Sequence, residues 1–166
     1  MGICSSSSQE AWDRHCSCWG AVVSIYSNGA YHSGDLDFVK TSLLVTKLEE
    51  SMNEIGFKKR GRHYTHPKCK HLFVEFPGGP PLGIGEDNSI EPDEVKVDGT
   101  IIKILSPTDC VKDRLASYIH FKAPEGLDQA VLVAKNQTVN LSSVKKWCQG
   151  EGAEWVFDDF LKALKQ

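Results

Sequence analysis

Two aspartates one residue apart stand in Gly34-Asp35-Leu36-Asp37-Phe38-Val39. Flanked by apolar residues, the stretch reads as a short strand, and a strand alternates its faces. Asp35 and Asp37 then project on one side while Leu36 and Phe38 enter the core. Like charges held this close oppose each other's ionisation unless a positive charge lies between them, and a hard divalent cation such as Mg2+ is the usual solution. Glu75 is the next acid to explain, alone in the apolar run Leu72-Phe73-Val74-Glu75-Phe76. If the two strands are neighbours, three carboxylates converge. That is the set with which phosphoryl-transfer sites fix metal ions against nucleotide phosphates. The plainer alternatives are a solvated edge strand or a Gly-Asp turn cap for the aspartates and a solvated strand end for Glu75.

Other residues compete for attention. His63, His66, Cys69 and His71 are zinc-ligand types within nine residues, but their spacing is that of no known finger, and strand alternation scatters them over two faces. Lys58, Lys59, Arg60, Arg62, Lys68 and Lys70 make the same region the most basic of the chain. It reads either as a solvated face or as a dock for a nucleotide or an RNA backbone.

The elements that must position these groups follow from periodicity and punctuation. A strand near 14–18, a turn at Gly20 and a helix from about 21 to 27 are expected, with one continuous helix as the alternative. A helix over 42–55 places Leu44, Leu48, Met52 and Ile55 on one face and stops at Gly56. Strands are expected at 57–60, 64–66 and 72–76, followed by a Gly/Pro-rich loop from 77 to 92. A hairpin over 94–97 and 100–104 turns on Asp98-Gly99. Ser106-Pro107-Thr108-Asp109 combines an N-cap serine, a proline at N1 and an acid at N3, and so starts a helix running to about Phe121. Shorter helices near 125–136, 141–149 and 153–165 complete the chain. The fold class is thus α/β (α+β), a mixed sheet flanked by helices over 1–105 and a helical segment over 106–166.

Bulk properties limit the function. With 166 residues, 25% of them charged and a net charge of −3, the chain does not coat nucleic acid by bulk charge, so any phosphate-binding surface must be local. Its apolar runs are too short to span a bilayer. The six scattered cysteines, with no C-x-x-C pair, suit a reduced, cytoplasmic setting. Met1-Gly2-Ile3-Cys4-Ser5-Ser6 matches a loose myristoylation pattern, but no polybasic segment follows, and the start is read as a polar lead-in.

The ordered set resembles the nucleotidyltransferase (polymerase-beta-like) superfamily, whose pattern is G-[GS], nine to thirteen residues, then D-h-[DE]-h with h apolar. Here Gly20-Ala21 is followed by the thirteen residues Val22 to Gly34 and then by Asp35-Leu36-Asp37-Phe38. Ile25-Tyr26-Ser27, Gly29, Tyr31, Val74-Glu75-Phe76-Pro77, Pro107-Thr108-Asp109, Asp113-Arg114-Leu115 and Gln129-Ala130 extend the likeness to small bacterial proteins of this kind, some related to toxins or antitoxins. The resemblance implies a nucleotidyltransferase fold and transfer of a nucleoside monophosphate from a Mg2+-bound NTP to a hydroxyl of an RNA, a protein or a small molecule. It implies Asp35, Asp37 and Glu75 as metal ligands, with Glu75 also orienting or deprotonating the attacking hydroxyl. Gly20 and its neighbours Ala21, Ser24 and Ser27 are implied in holding the triphosphate. Trp19-Gly20-Ala21 departs from the family's small, hydroxyl-bearing turn, which leaves Ser24 and Ser27 as the nearby hydroxyls. The alternative is a degenerate member that acts by binding, like an antitoxin, on a cognate protein or a nucleotide. A third reading comes from Arg114 and His120, which fit the R-x(4-6)-H pattern of HEPN-type ribonucleases.

Overall fold

The acidic stretch forms a strand, and its neighbours set the architecture. The computed structural model describes residues 16–18, 21–40, 47–77, 84, 90 and 92–166, with the strand residues 16–18, 39, 40 and 100 described by backbone alone. Its strands are β1 (Cys16–Cys18), β2 (Asp35–Lys40), β3 (Lys58–Arg60), β4 (His63–His66), β5 (Cys69–Glu75), β6 (Asp93–Val97) and β7 (Thr100–Ile104). They form one mixed sheet in the order β3-β4-β5-β2-β1-β7-β6. The β2/β5 and β1/β7 pairs are parallel, and all other neighbours are antiparallel. Six helices accompany the sheet among the described residues: α1 (Val22–Tyr26), α2 (Leu48–Glu54), α3 (Pro107–His120), α4 (Pro124–Asn136), α5 (Leu141–Gly150) and α6 (Glu154–Leu164). None of the described helices is long and apolar enough to cross a membrane.

The described residues divide into two units. The first holds the sheet and α2. Met52 of α2, Tyr64 and Val74 are buried together, with Leu36, Phe38, Leu48, Phe57 and Phe76 packed around them. The apolar face of β2, β4 and β5 therefore lies against α2. Phe38 and Phe76 stack at 5.6 Å, and Tyr64 meets Phe76 edge-on at 5.7 Å. The β6–β7 turn has φ of 49° at Asp98 and 87° at Gly99, the two positive values that a type I′ turn requires. Of the helix expected over 42–55, α2 accounts for Leu48–Glu54, with Lys47 as its N-cap; 42–46 lie outside the described residues.

The second unit comprises α1 and the residues to His32, residues 81–91 and the chain from Leu105 onward. It is therefore discontinuous in sequence. Val22 and Val23 of α1 are fully buried, and the Tyr26 hydroxyl donates to the Leu105 carbonyl at 2.7 Å, while the Gln137 amide donates to the Tyr26 carbonyl. Helix α3 starts as the sequence indicates. The Ser106 hydroxyl accepts from Asp109 N–H at 3.1 Å and donates to the Asp109 carboxylate at 2.9 Å, with Pro107 at N1. Helices α3 and α4 approach closely at Gly126, where a Cβ would lie 2.5 Å from the Arg114 carbonyl oxygen.

Candidate active site

Register decides which side chains share the sheet's other face. In the parallel β2/β5 pair, Asp35 is opposite Phe73, Leu36 opposite Val74 and Asp37 opposite Glu75. In the antiparallel β4/β5 pair, Glu75 is opposite His63 and Phe73 opposite Thr65, and β3 adds Arg60 beside His63. Two rungs thus cross the face that points away from α2. One is Lys58, Thr65, Phe73 and Asp35; the other is Arg60, His63, Glu75 and Asp37. Asp37 and Glu75 are one strand spacing apart, about 4.8 Å, and Asp35 is one pleat repeat further along β2, about 6.6 Å away.

Glu75 is not free on this face. Arg62 Nε lies 3.3 Å from Glu75 Oε1, and His63 Nδ1 lies against the same oxygen. That ring nitrogen is closed off from solvent and lacks the alignment of a hydrogen bond. The Glu75 side chain is 19% exposed while that of Arg62 is 80% exposed, so the arginine reaches in from solvent. Asp35 is exposed and Asp37 half-buried. Ser33 Oγ accepts from the Asp35 N–H at 3.2 Å and donates to the Asp35 carbonyl at 2.8 Å, fixing the entry to β2.

Register therefore brings the backbones of Asp35, Asp37 and Glu75 together. Among the described residues, however, no group of three or more His, Cys, Asp or Glu side chains is arranged to hold a metal ion. Three carboxylates are a donor set suited to Mg2+. Nor do the histidines and Cys69 form such a group among the described residues. His63 faces Glu75, whereas His66 packs its ring against Phe57 at 5.1 Å on the opposite face, and His71 is exposed.

The residues implied in phosphate binding are placed differently. Gly20 and Trp19 lie outside the described residues. Ala21 is buried in a turn, and Ser24 is half-buried in α1. Ser27 is 2% exposed; its hydroxyl donates to the Ser24 carbonyl and accepts from Tyr31 N–H, so it holds the turn that follows α1.

Arg114 and His120 of α3 serve other groups. Arg114 Nε donates to Asp113 Oδ2 at 2.9 Å, its Nη2 contacts the same oxygen, and Nη1 donates to Gln129 Oε1 at 3.2 Å. Asp113 and Gln129 are both buried, which makes this a polar bridge between α3 and α4. Burial pushes the Asp113 carboxyl above the ordinary carboxylate value, against the pull of Arg114. His120 Nε2 lies 2.8 Å from Glu151 Oε2. Six residues apart on a helix, Arg114 and His120 sit about 120° from one another around the axis.

Arg62 and His63 were not singled out as partners of Glu75 by sequence reasoning. Their signal is the β4–β5 hairpin, whose register shifts between Thr65 and His66. Comparison of the chain with protein-family models, with curated proteins and with solved structures finds no match. The geometry of this face is therefore what any functional reading rests on.

Proposed function

We propose that the chain is a nucleotidyltransferase-fold protein whose Asp35, Asp37 and Glu75 hold Mg2+ with a nucleoside triphosphate and direct the nucleoside monophosphate to an acceptor hydroxyl. The observation that carries this reading is the parallel β2/β5 register, which sets Glu75 beside Asp37 with Asp35 on the same face. The acceptor oxygen bonds to the α-phosphorus, the bond to the β-phosphate bridging oxygen breaks, and pyrophosphate leaves. Bound Mg2+ supplies neutralisation of the phosphate charge. Glu75, which Arg62 and His63 contact through Oε1, would also orient or deprotonate the attacking hydroxyl. Isothermal titration with ATP, GTP, CTP and UTP in Mg2+ tests the reading. Metal-dependent binding that is abolished in Asp35→Asn supports it, and absence of binding to all four defeats it.

A second reading has its own observation. Glu75 is already paired with Arg62 and in contact with His63, the state expected of a member of this fold that has stopped turning over and acts by binding a nucleotide or a cognate protein. That reading predicts nucleotide binding without pyrophosphate release, or no nucleotide binding at all.

A further inference from the structure

The face that carries the acids carries more than acids. Phe73 is 39% exposed, a large aromatic open to solvent in the middle of a sheet, directly opposite Asp35 on β2. His63 meets its ring edge-on at 5.8 Å. On the far side of His63 stand Arg60, exposed on the edge strand β3, and Arg62, 80% exposed in the turn between β3 and β4. From the β2 aspartates to Arg60 the face spans three strand spacings, about 14 Å. From β2 outward it carries the aspartates, then Phe73 and Glu75 on β5, then His63 on β4 and Arg60 on β3, with Arg62 reaching in to Glu75.

We propose that this face is the acceptor platform and that the acceptor is the end of a single-stranded nucleic acid. The terminal base stacks on Phe73, the phosphates behind it pair with Arg60 and Arg62, and the terminal hydroxyl is left at Asp35, Asp37 and Glu75. An aromatic that offers a π-face, combined with cations that track a backbone, is how single strands are held without sequence readout. Charge complementarity favours this occupant over a peptide. Arg60 lies at the end of the face remote from the aspartates and Arg62 reaches in from solvent to Glu75, so a polyanion meets exposed guanidinium groups before its terminus reaches the aspartates. A small-molecule acceptor needs only the carboxylate end and leaves the open aromatic and the exposed arginines unexplained. The inference rests on the nucleotidyl-transfer reading for the role of the bound strand, but not for its binding.

The test uses the full chain and a 5′-fluorescein-labelled ten-nucleotide single-stranded RNA, followed by fluorescence anisotropy in Mg2+ at low salt and without nucleoside triphosphate. The wild type is expected to bind. Phe73→Ala is expected to weaken binding about fivefold or more, and Phe73→Tyr to restore it, because tyrosine keeps the stacking surface. Phe73→Leu, which retains bulk and β-strand fit, is expected to behave like Phe73→Ala and so separates stacking from folding. Arg60→Ala and Arg62→Ala should each lower the salt-dependence slope by about 0.7, the value for one lost single-strand phosphate contact. No RNA binding by a folded wild type, or binding indifferent to Phe73→Leu, overturns the proposal. So does a Phe73→Ala variant that loses nucleoside triphosphate and keeps RNA, which would assign the aromatic to the incoming nucleotide. Because RNA binding is read without nucleotide, its failure is distinguishable from failure of Mg2+-nucleotide binding.

Discussion

Replacing Gly126 and Gly150 with alanine should move stability in opposite directions, though both are helical glycines of one unit. At Gly126, in the first turn of α4, the new Cβ falls 2.5 Å from the Arg114 carbonyl oxygen and 3.1 Å from the Tyr118 amide nitrogen. Both are backbone atoms of α3, which cannot rotate aside as a side-chain tip can. The two helices must separate by several tenths of an ångström, and the Arg114 to Gln129 hydrogen bond that joins them, already 3.2 Å long, lengthens with them. Overpacking of this kind costs about 1–3 kcal/mol. The helix propensity gained by exchanging glycine for alanine returns at most about 1 kcal/mol. Gly126→Ala is therefore expected to lose roughly 1–2 kcal/mol net. At Gly150, the last residue of α5, nothing lies within 4 Å of an added Cβ. Only the propensity gain remains there, so Gly150→Ala should be neutral to about 1 kcal/mol more stable. Urea unfolding monitored by circular dichroism reads both. With a slope near 2 kcal/mol per molar urea, the Gly126→Ala midpoint should fall by roughly 0.5–1 M. A Gly126→Ala variant as stable as the wild type would refute the close approach of α3 and α4.

Three further outcomes follow from buried groups. Burial, with the nearby Asp113 carboxylate, pushes the Cys110 thiol up to about 12 from 9.0, while the unfolded thiol ionises near 9.0. Since the folded value is the higher, the stability present below pH 9 falls by about 1.4 kcal/mol per pH unit between pH 9 and 12. Cys148, pushed up to about 11 mainly by burial, steepens the first part of that loss. Thermal melts from pH 8 to 11 should show it, and Cys110→Ala should flatten the slope; equal slopes would contradict the burial of this thiol. Asp113→Ala leaves Arg114 without its carboxylate partner and should cost about 3 kcal/mol by denaturant unfolding, the low end for breaking a buried pair because Arg114 keeps some solvent. A cost below 1 kcal/mol would contradict the bridge. Ser106→Ala removes the α3 cap and should cost about 1 kcal/mol; restoration by Ser106→Asp is the check.

Local chemistry made much of the fold legible. Asp98-Gly99, Ser106-Pro107 and the alternation through Asp35, Leu36, Asp37 and Phe38 each follow from backbone sterics or face periodicity, which act over a few residues. What was not legible arises over longer separations. Strands β2 and β5 are neighbours although α2 and the β3–β4 hairpin lie between them in sequence. Helix α1 belongs with the helices from Leu105 onward because Val22, Val23 and Tyr26 are buried among them, and five residues carry too little period to say so. The Glu75 partners depend on one irregularity. Extending the His66 to Cys69 pairing without the register shift would put Leu72 opposite His63; with it, His63 meets Glu75. No residue type between Thr65 and Cys69 announces that shift.

The central claim is that Asp35, Asp37 and Glu75 act together on a divalent cation. Mn2+ binding followed by electron paramagnetic resonance, with a non-hydrolysable nucleoside triphosphate present, tests it directly, because free Mn2+ loses its signal on binding. The account predicts saturable binding in the wild type and a loss of affinity greater than about tenfold in each of Asp35→Asn, Asp37→Asn and Glu75→Gln. Mn2+ binding that is absent in the wild type, or unchanged in the three variants, would contradict it.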